Sequence, residues 1–184
     1  MRRGVLAPVL DVLLPFTAGI HFALLQTGYF LLLEAHLSSQ SLSYFVALFF
    51  WLTGLLLGLY LRDDRWFGPL LGAGVVGYYL TFALTRWIPF HPSLYPAAAL
   101  SAVISGLLPG FFFRFAARRW AANVARPLFH ENNGFVLGLF LALRGAIHFG
   151  GRLVALGPLA SGLLVVVALV GFRLIRRGTT PRPA

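Results

Sequence analysis

The chain breaks into apolar runs, each closed by arginine, proline or a short polar turn. A helix needs about 20 mostly apolar residues to cross the hydrocarbon core of a bilayer. Six runs suit that length: about Val5 to Leu33, interrupted by Pro15; Leu42 to Leu61; about Trp66 to Ile88; about Ser93 to Phe115; Gly134 to Phe149; and Leu153 to Phe172. In lipid each backbone polar group must be satisfied inside its own segment, so such runs become helices. The expected fold is all-α, a six-transmembrane-helix bundle forming one domain over residues 1–175, with a polar tail over 176–184. The first run is too long to stand upright and must tilt, kink at Pro15 or begin as an interfacial turn. It follows Met1-Arg2-Arg3, outruns a signal peptide and lacks a cleavage site, so it reads as a retained span. The fifth run is the weakest, being short and carrying Arg144.

Of the 184 residues, 59% are apolar and 11% charged, which rules out an ordinary soluble domain. The chain has no Cys, so thiolate nucleophiles, iron–sulfur clusters and disulfides are excluded. All 15 basic residues are Arg, so a lysine Schiff base is excluded too. A net charge of +10 could suggest nucleic acid, but the arginines punctuate apolar runs rather than forming one basic surface. Their placement orients the chain instead. Arg2, Arg3, Arg62, Arg65, Arg114, Arg118, Arg119, Arg126, Arg173, Arg176, Arg177 and Arg182 fall on one side if both termini are cytoplasmic. Arg86 and Arg152 fall near the other side. The positive-inside bias then predicts a multi-pass protein of the bacterial inner membrane, N- and C-termini inside. Trp66, Trp87, Trp120, Tyr44 and Tyr95 fall near the expected interfaces.

Small residues let helix backbones approach in lipid. Gly54/Gly58, Gly68/Gly72, Gly106/Gly110 and Gly134/Gly138 each have the spacing of a close-contact face, and Gly74 and Gly77 extend the smooth face of the third helix. Three plus three spans permit an inverted repeat. Phe45 to Phe50, FVALFF, and Phe135 to Phe140, FVLGLF, occupy matching places in the two halves. The fourth-to-fifth connection, RFAARRWAANVARPLFHENN, reads as a long basic loop or an amphipathic helix on the inner leaflet.

Ser41 to Leu61, followed by RDDRW, resembles the integral-membrane region of spermidine synthase-like membrane proteins. Gly54, Leu55, Leu57 and Gly58 supply the G-L-x-L-G pattern that carries the resemblance, with Arg62 to Arg65 as its basic loop. GLLPGFFFRF resembles that family's fourth helix, and Asn133, Gly134 and Gly138 the start of a following one. Gln26 stands near the place of an acidic residue often found in the family's first helix. The chain has no room for the family's soluble nucleotide-type domain and no Gly-rich loop with a following acidic residue, so the resemblance implies a membrane domain without aminopropyl transfer.

Five acidic residues and five His keep the chemistry short. Arg144, His148 and Arg152 share one helix face, which can bind an anion, a quinone carbonyl or a haem propionate, with Glu34 or Asp11 as partner. Alternatively the arginines snorkel to the outer interface and His148 is a packed ring. His21 and His148 are the two helical histidines that could ligate b-type haem. His36, His91 and His148 with Glu34 could hold a metal, although no local motif supports one. Ser105 and His148 loosely match the serine and histidine segments of rhomboid proteases, but Val103 stands where that pattern needs Gly. Asp63 and Asp64 are expected to balance Arg62 and Arg65 in a solvated turn.

The leading expectation is a non-enzymatic accessory or scaffold subunit without a cofactor, held in lipid beside a membrane-protein partner or a second copy, with no nucleic acid. The alternatives are a small transporter or channel for an anionic solute on the Arg144/His148/Arg152 face, and a haem- or quinone-binding redox subunit.

Overall fold

The computed structural model describes the backbone of residues 3–37 and 40–177 and the side chains of 8–37 and 41–174. Six helices make up almost all of it: α1 Arg3–His36, α2 Gln40–Gly58, α3 Phe67–Trp87, α4 Leu94–Arg119, α5 Ala125–Phe149 and α6 Gly151–Arg177. One turn of 3-10 helix, Asp64–Trp66, leads into α3, and no strand occurs among the described residues. The fold is an all-α bundle. Five helices are long and apolar enough to cross a membrane: Pro8–His36, Ser41–Gly58, Asp64–Trp87, Leu94–Arg119 and Gly151–Leu174. The sixth, α5, opens with Arg126, His130, Glu131, Asn132 and Asn133 before its apolar run begins. Exposed Leu56, Val76, Leu100, Phe140 and Val167 give the bundle an outer surface suited to lipid rather than water.

The alternatives for the first run narrow, and the loop expectation changes. α1 does not break at Pro15 but continues through Pro8 and Pro15 as one helix of 34 residues. At the usual rise that is about 51 Å, well beyond the ~30 Å hydrocarbon core, so tilt or protrusion takes up the excess. The long fourth-to-fifth loop is also absent. α4 continues to Arg119 and α5 begins at Ala125, leaving five residues between them. Ala116 and Ala117 favour helix on one side, and Asn123 Oδ1 accepts the Arg126 amide at 3.3 Å on the other.

α1 packs along α5 and α6, while α4 packs along α2 and α3. The halves of the chain interlock, because the first helix of each lies against the second and third of the other. The closest approaches repeat residue for residue. A methyl group on Gly54 would overlap the Val103 carbonyl oxygen, and one on Gly58 the Leu107 oxygen. Likewise, a methyl group on Gly134 would overlap the Phe16 oxygen, and one on Gly138 would crowd Ile20 and Ala23. In return Gly106 faces the Trp51 carbonyl, as Gly19 faces that of Glu131. Gly106 follows Val103 by three residues, as Gly19 follows Phe16; Trp51 precedes Gly54 by three, as Glu131 precedes Gly134.

Both crossings are parallel, and each half has three helices, so the second half is inverted relative to the first. This is the arrangement of inverted-repeat membrane proteins. Its register differs from the FVALFF/FVLGLF match: Phe135 corresponds to Leu55, not to Phe45. Glycine at the contact, rather than apolar letters facing lipid, fixes how close and where the helices cross. Gly74 and Gly77 do meet α4, at Ser105 and Ser101, whereas Gly68 and Gly72 face open space and form no contact.

At the Arg-rich end, Arg114 Nη1 donates to the Leu59 carbonyl at 3.0 Å, and Arg118 donates to the Arg62 carbonyl. Asp63 pairs with Arg65 at 2.9 Å as expected, but Asp64 pairs with Arg118 of α4 at 2.5 Å rather than with Arg62.

Candidate functional site

A cleft of about 400 Å³ lies where α1, α2, α4 and α5 meet. Its walls follow the internal pairing. Phe22 and Pro109, Gln26 and Phe113, Trp51 and Glu131, Leu52 and Asn132, and Leu55 and Phe135 are all counterparts in the two halves, and all line it. The cleft therefore sits on the pseudo-twofold axis. Backbone symmetry is not matched by chemistry. Glu131 stands opposite Trp51, Asn132 opposite Leu52, and Gln26 opposite Phe113, so three polar side chains enter an otherwise apolar wall.

Glu131 is 7% exposed. Its helix is held against α1 at the point where Gly19 leaves room for the Glu131 carbonyl. Among the described residues its carboxyl has no hydrogen bond or ion pair. A largely buried carboxylate without a partner is costly, and either a proton or a bound cation removes that cost. Half-buried Gln26 and exposed Asn132 also line this space, and an amide oxygen can accept from a bound donor. Such a site can take up a proton or a positive, hydrogen-bond-donating group.

The expected residues are placed differently. Arg144, His148 and Arg152 are exposed at one end of the bundle, the first two on the outward side of α5 and the third at the start of α6. None of them lines this cleft. Glu34 is half-buried near the end of α1. His21 is fully buried, with Nδ1 2.9 Å from the Ser161 hydroxyl oxygen. Ser161 Oγ itself donates to the Pro158 carbonyl at 3.1 Å, so Nδ1 carries the histidine proton. His21 Nε2 is then a buried acceptor without a partner. His148 lies nearly three turns beyond Gly138, the α5 residue beside Ile20 and Ala23, about 15 Å along the helix. The structure does not bring His21 and His148 together.

Ser105 and His148 are also apart. Ser105 Oγ is buried, donates to the Gly74 carbonyl at 3.0 Å and accepts from the Tyr29 hydroxyl at 2.9 Å. Its proton and one lone pair are thus committed to packing α3 and α1 against α4. Among the described residues no cluster of three His, Asp or Glu side chains could hold a metal.

Glu131 did not stand out in the sequence because it falls in the stretch that reads as a connector. The available signal was its position three residues before Gly134, which places it on the close-contact side of α5. No family model, no curated protein and no solved structure matches this chain.

Proposed function

We propose that this integral membrane protein is a small carrier of a cationic solute, with Glu131 as the residue that receives the cation. The observation behind this reading is the unpartnered, buried Glu131 carboxyl in a cleft on the pseudo-twofold axis. In inverted-repeat transporters the repeat interface holds the substrate, and rocking of one half against the other exposes it alternately. An ionisable residue inside a bundle is a functional-site hypothesis by default. Glycine-against-carbonyl crossings hold α1 to α5 and α2 to α4, and between these pairs α1 packs on α2 while α4 touches α5 only weakly, so the cleft lies between two helix pairs. The proposal replaces the anionic solute of the sequence reading with a cation, because the buried polar group is acidic and the arginines lie outside the cleft. A methylammonium concentration jump on a solid-supported membrane should give a transient current with the native chain and none with Glu131→Gln. Equal currents would reject the carrier reading.

Exposed Arg144 and His148 on α5, with exposed Arg152 at the start of α6, favour a second reading. Three cationic or titratable groups on the outward side of a bundle provide a docking edge for a partner chain, as an accessory subunit requires. Stoichiometric copurification of a membrane protein, lost on changing these residues, would support it.

A further inference from the structure

Resting on the carrier reading, we propose that the solute is a membrane lipid with a primary ammonium headgroup, its chain lying along α2 and its ammonium group at Glu131. A second cavity of about 250 Å³ shares Gln26, Leu48 and Phe135 with the axial cleft and extends it to Tyr44. From Leu55 to Tyr44 the groove follows α2 for about 16 Å at the usual helical rise. That is close to half of the ~30 Å hydrocarbon core, the reach of one lipid chain within one leaflet. Exposed Leu52 and Tyr44 mark the side on which it opens to lipid. A small soluble cation would use the carboxyl but not this apolar extension.

The head end selects the chemistry. Glu131 stands about two turns from the start of α5, and Leu55 about one turn from the end of α2, both at the Arg-rich end of the bundle. A lipid entering from that leaflet would bring its head to the carboxyl and its tail toward Tyr44. A primary ammonium has three donors, which the Glu131 carboxylate and the Gln26 and Asn132 amide oxygens can accept. A trimethylammonium has none, and an anionic head is repelled.

Trp51 reports occupancy. It lines the cleft and is 3% exposed, so bulk lipid scarcely touches it. With Trp66, Trp87 and Trp120 changed to Phe, the protein is placed in phosphatidylcholine nanodiscs containing a small fraction of lipid with brominated chains. Brominated phosphatidylethanolamine should quench Trp51 with ~10-fold or greater apparent preference over brominated phosphatidylcholine or phosphatidylglycerol, the effect of a charge-assisted hydrogen bond. Glu131→Gln should remove the preference while chain quenching persists, and Leu48→Trp, read through lipid retention by native mass spectrometry, should expel the chain. Equal quenching by the three headgroups would overturn the proposal. If methylammonium currents remain under that outcome, the lipid assignment fails and the carrier reading stands; if both are absent, both fail.

Discussion

The Tyr78 hydroxyl donates to the Val154 carbonyl oxygen at 2.7 Å. Val154 is the residue whose helical partner would be the amide of residue 158, and residue 158 is proline. α3 thus supplies the hydrogen bond that Pro158 withholds from α6. Beside it, the Tyr79 hydroxyl donates to the Ala155 carbonyl at 2.6 Å, so two adjacent tyrosines cover the weakened turn.

This relationship is testable by a double-mutant cycle. Tyr78→Phe strands a carbonyl in an apolar setting and should cost about 1–3 kcal/mol. Pro158→Ala restores the helical amide, so the same tyrosine change should cost clearly less on that background. Stability of the four proteins, measured by unfolding in detergent, decides it; an unchanged tyrosine cost would mean that the proline is not the reason for the bond.

The glycine crossings make opposite forecasts for residues of one type. Gly134→Ala would place a methyl group on the Phe16 carbonyl, and Gly58→Ala one on the Leu107 carbonyl. Each should destabilise the bundle by about 1–3 kcal/mol, the usual cost of overpacking. Gly72→Ala meets nothing and should be neutral or slightly stabilising through helix propensity. Melting temperatures in detergent check all three.

Arg144 offers a contrast with Glu131. Its side chain is exposed, so Arg144→Leu should leave the stability of the isolated bundle unchanged. A large loss in the same unfolding assay would show a buried partner and return this face to the list of binding sites.

The span positions were legible in the sequence because apolar length alone determines what can cross lipid. Three of the four glycine pairs were placed at helix contacts correctly. Gly68/Gly72 was not, because spacing shows that two glycines share a face but not which way that face turns. Pro15 left open whether the first run tilts or kinks, and α1 is one continuous helix through it. The cleft was hidden for a different reason. Phe22, Gln26, Trp51, Pro109 and Glu131 come from four helices, and only the interlocked crossing of the two halves brings them together.

Orientation has its own test, drawn from the arginine asymmetry. A reporter fused after Ala184 should be active in the cytoplasm, and one inserted between residues 38 and 41 should report outside. The reverse pattern would invert the bundle, while two reporters on one side would change the number of crossings.

Uptake of labelled methylammonium into proteoliposomes compares the native chain, Glu131→Asp and Glu131→Gln under one gradient. The native chain should accumulate label, the aspartate variant should retain part of that uptake, and the glutamine variant should match protein-free vesicles. Undiminished uptake by a stably folded Glu131→Gln protein would contradict the assignment of the axial carboxyl as the cation site.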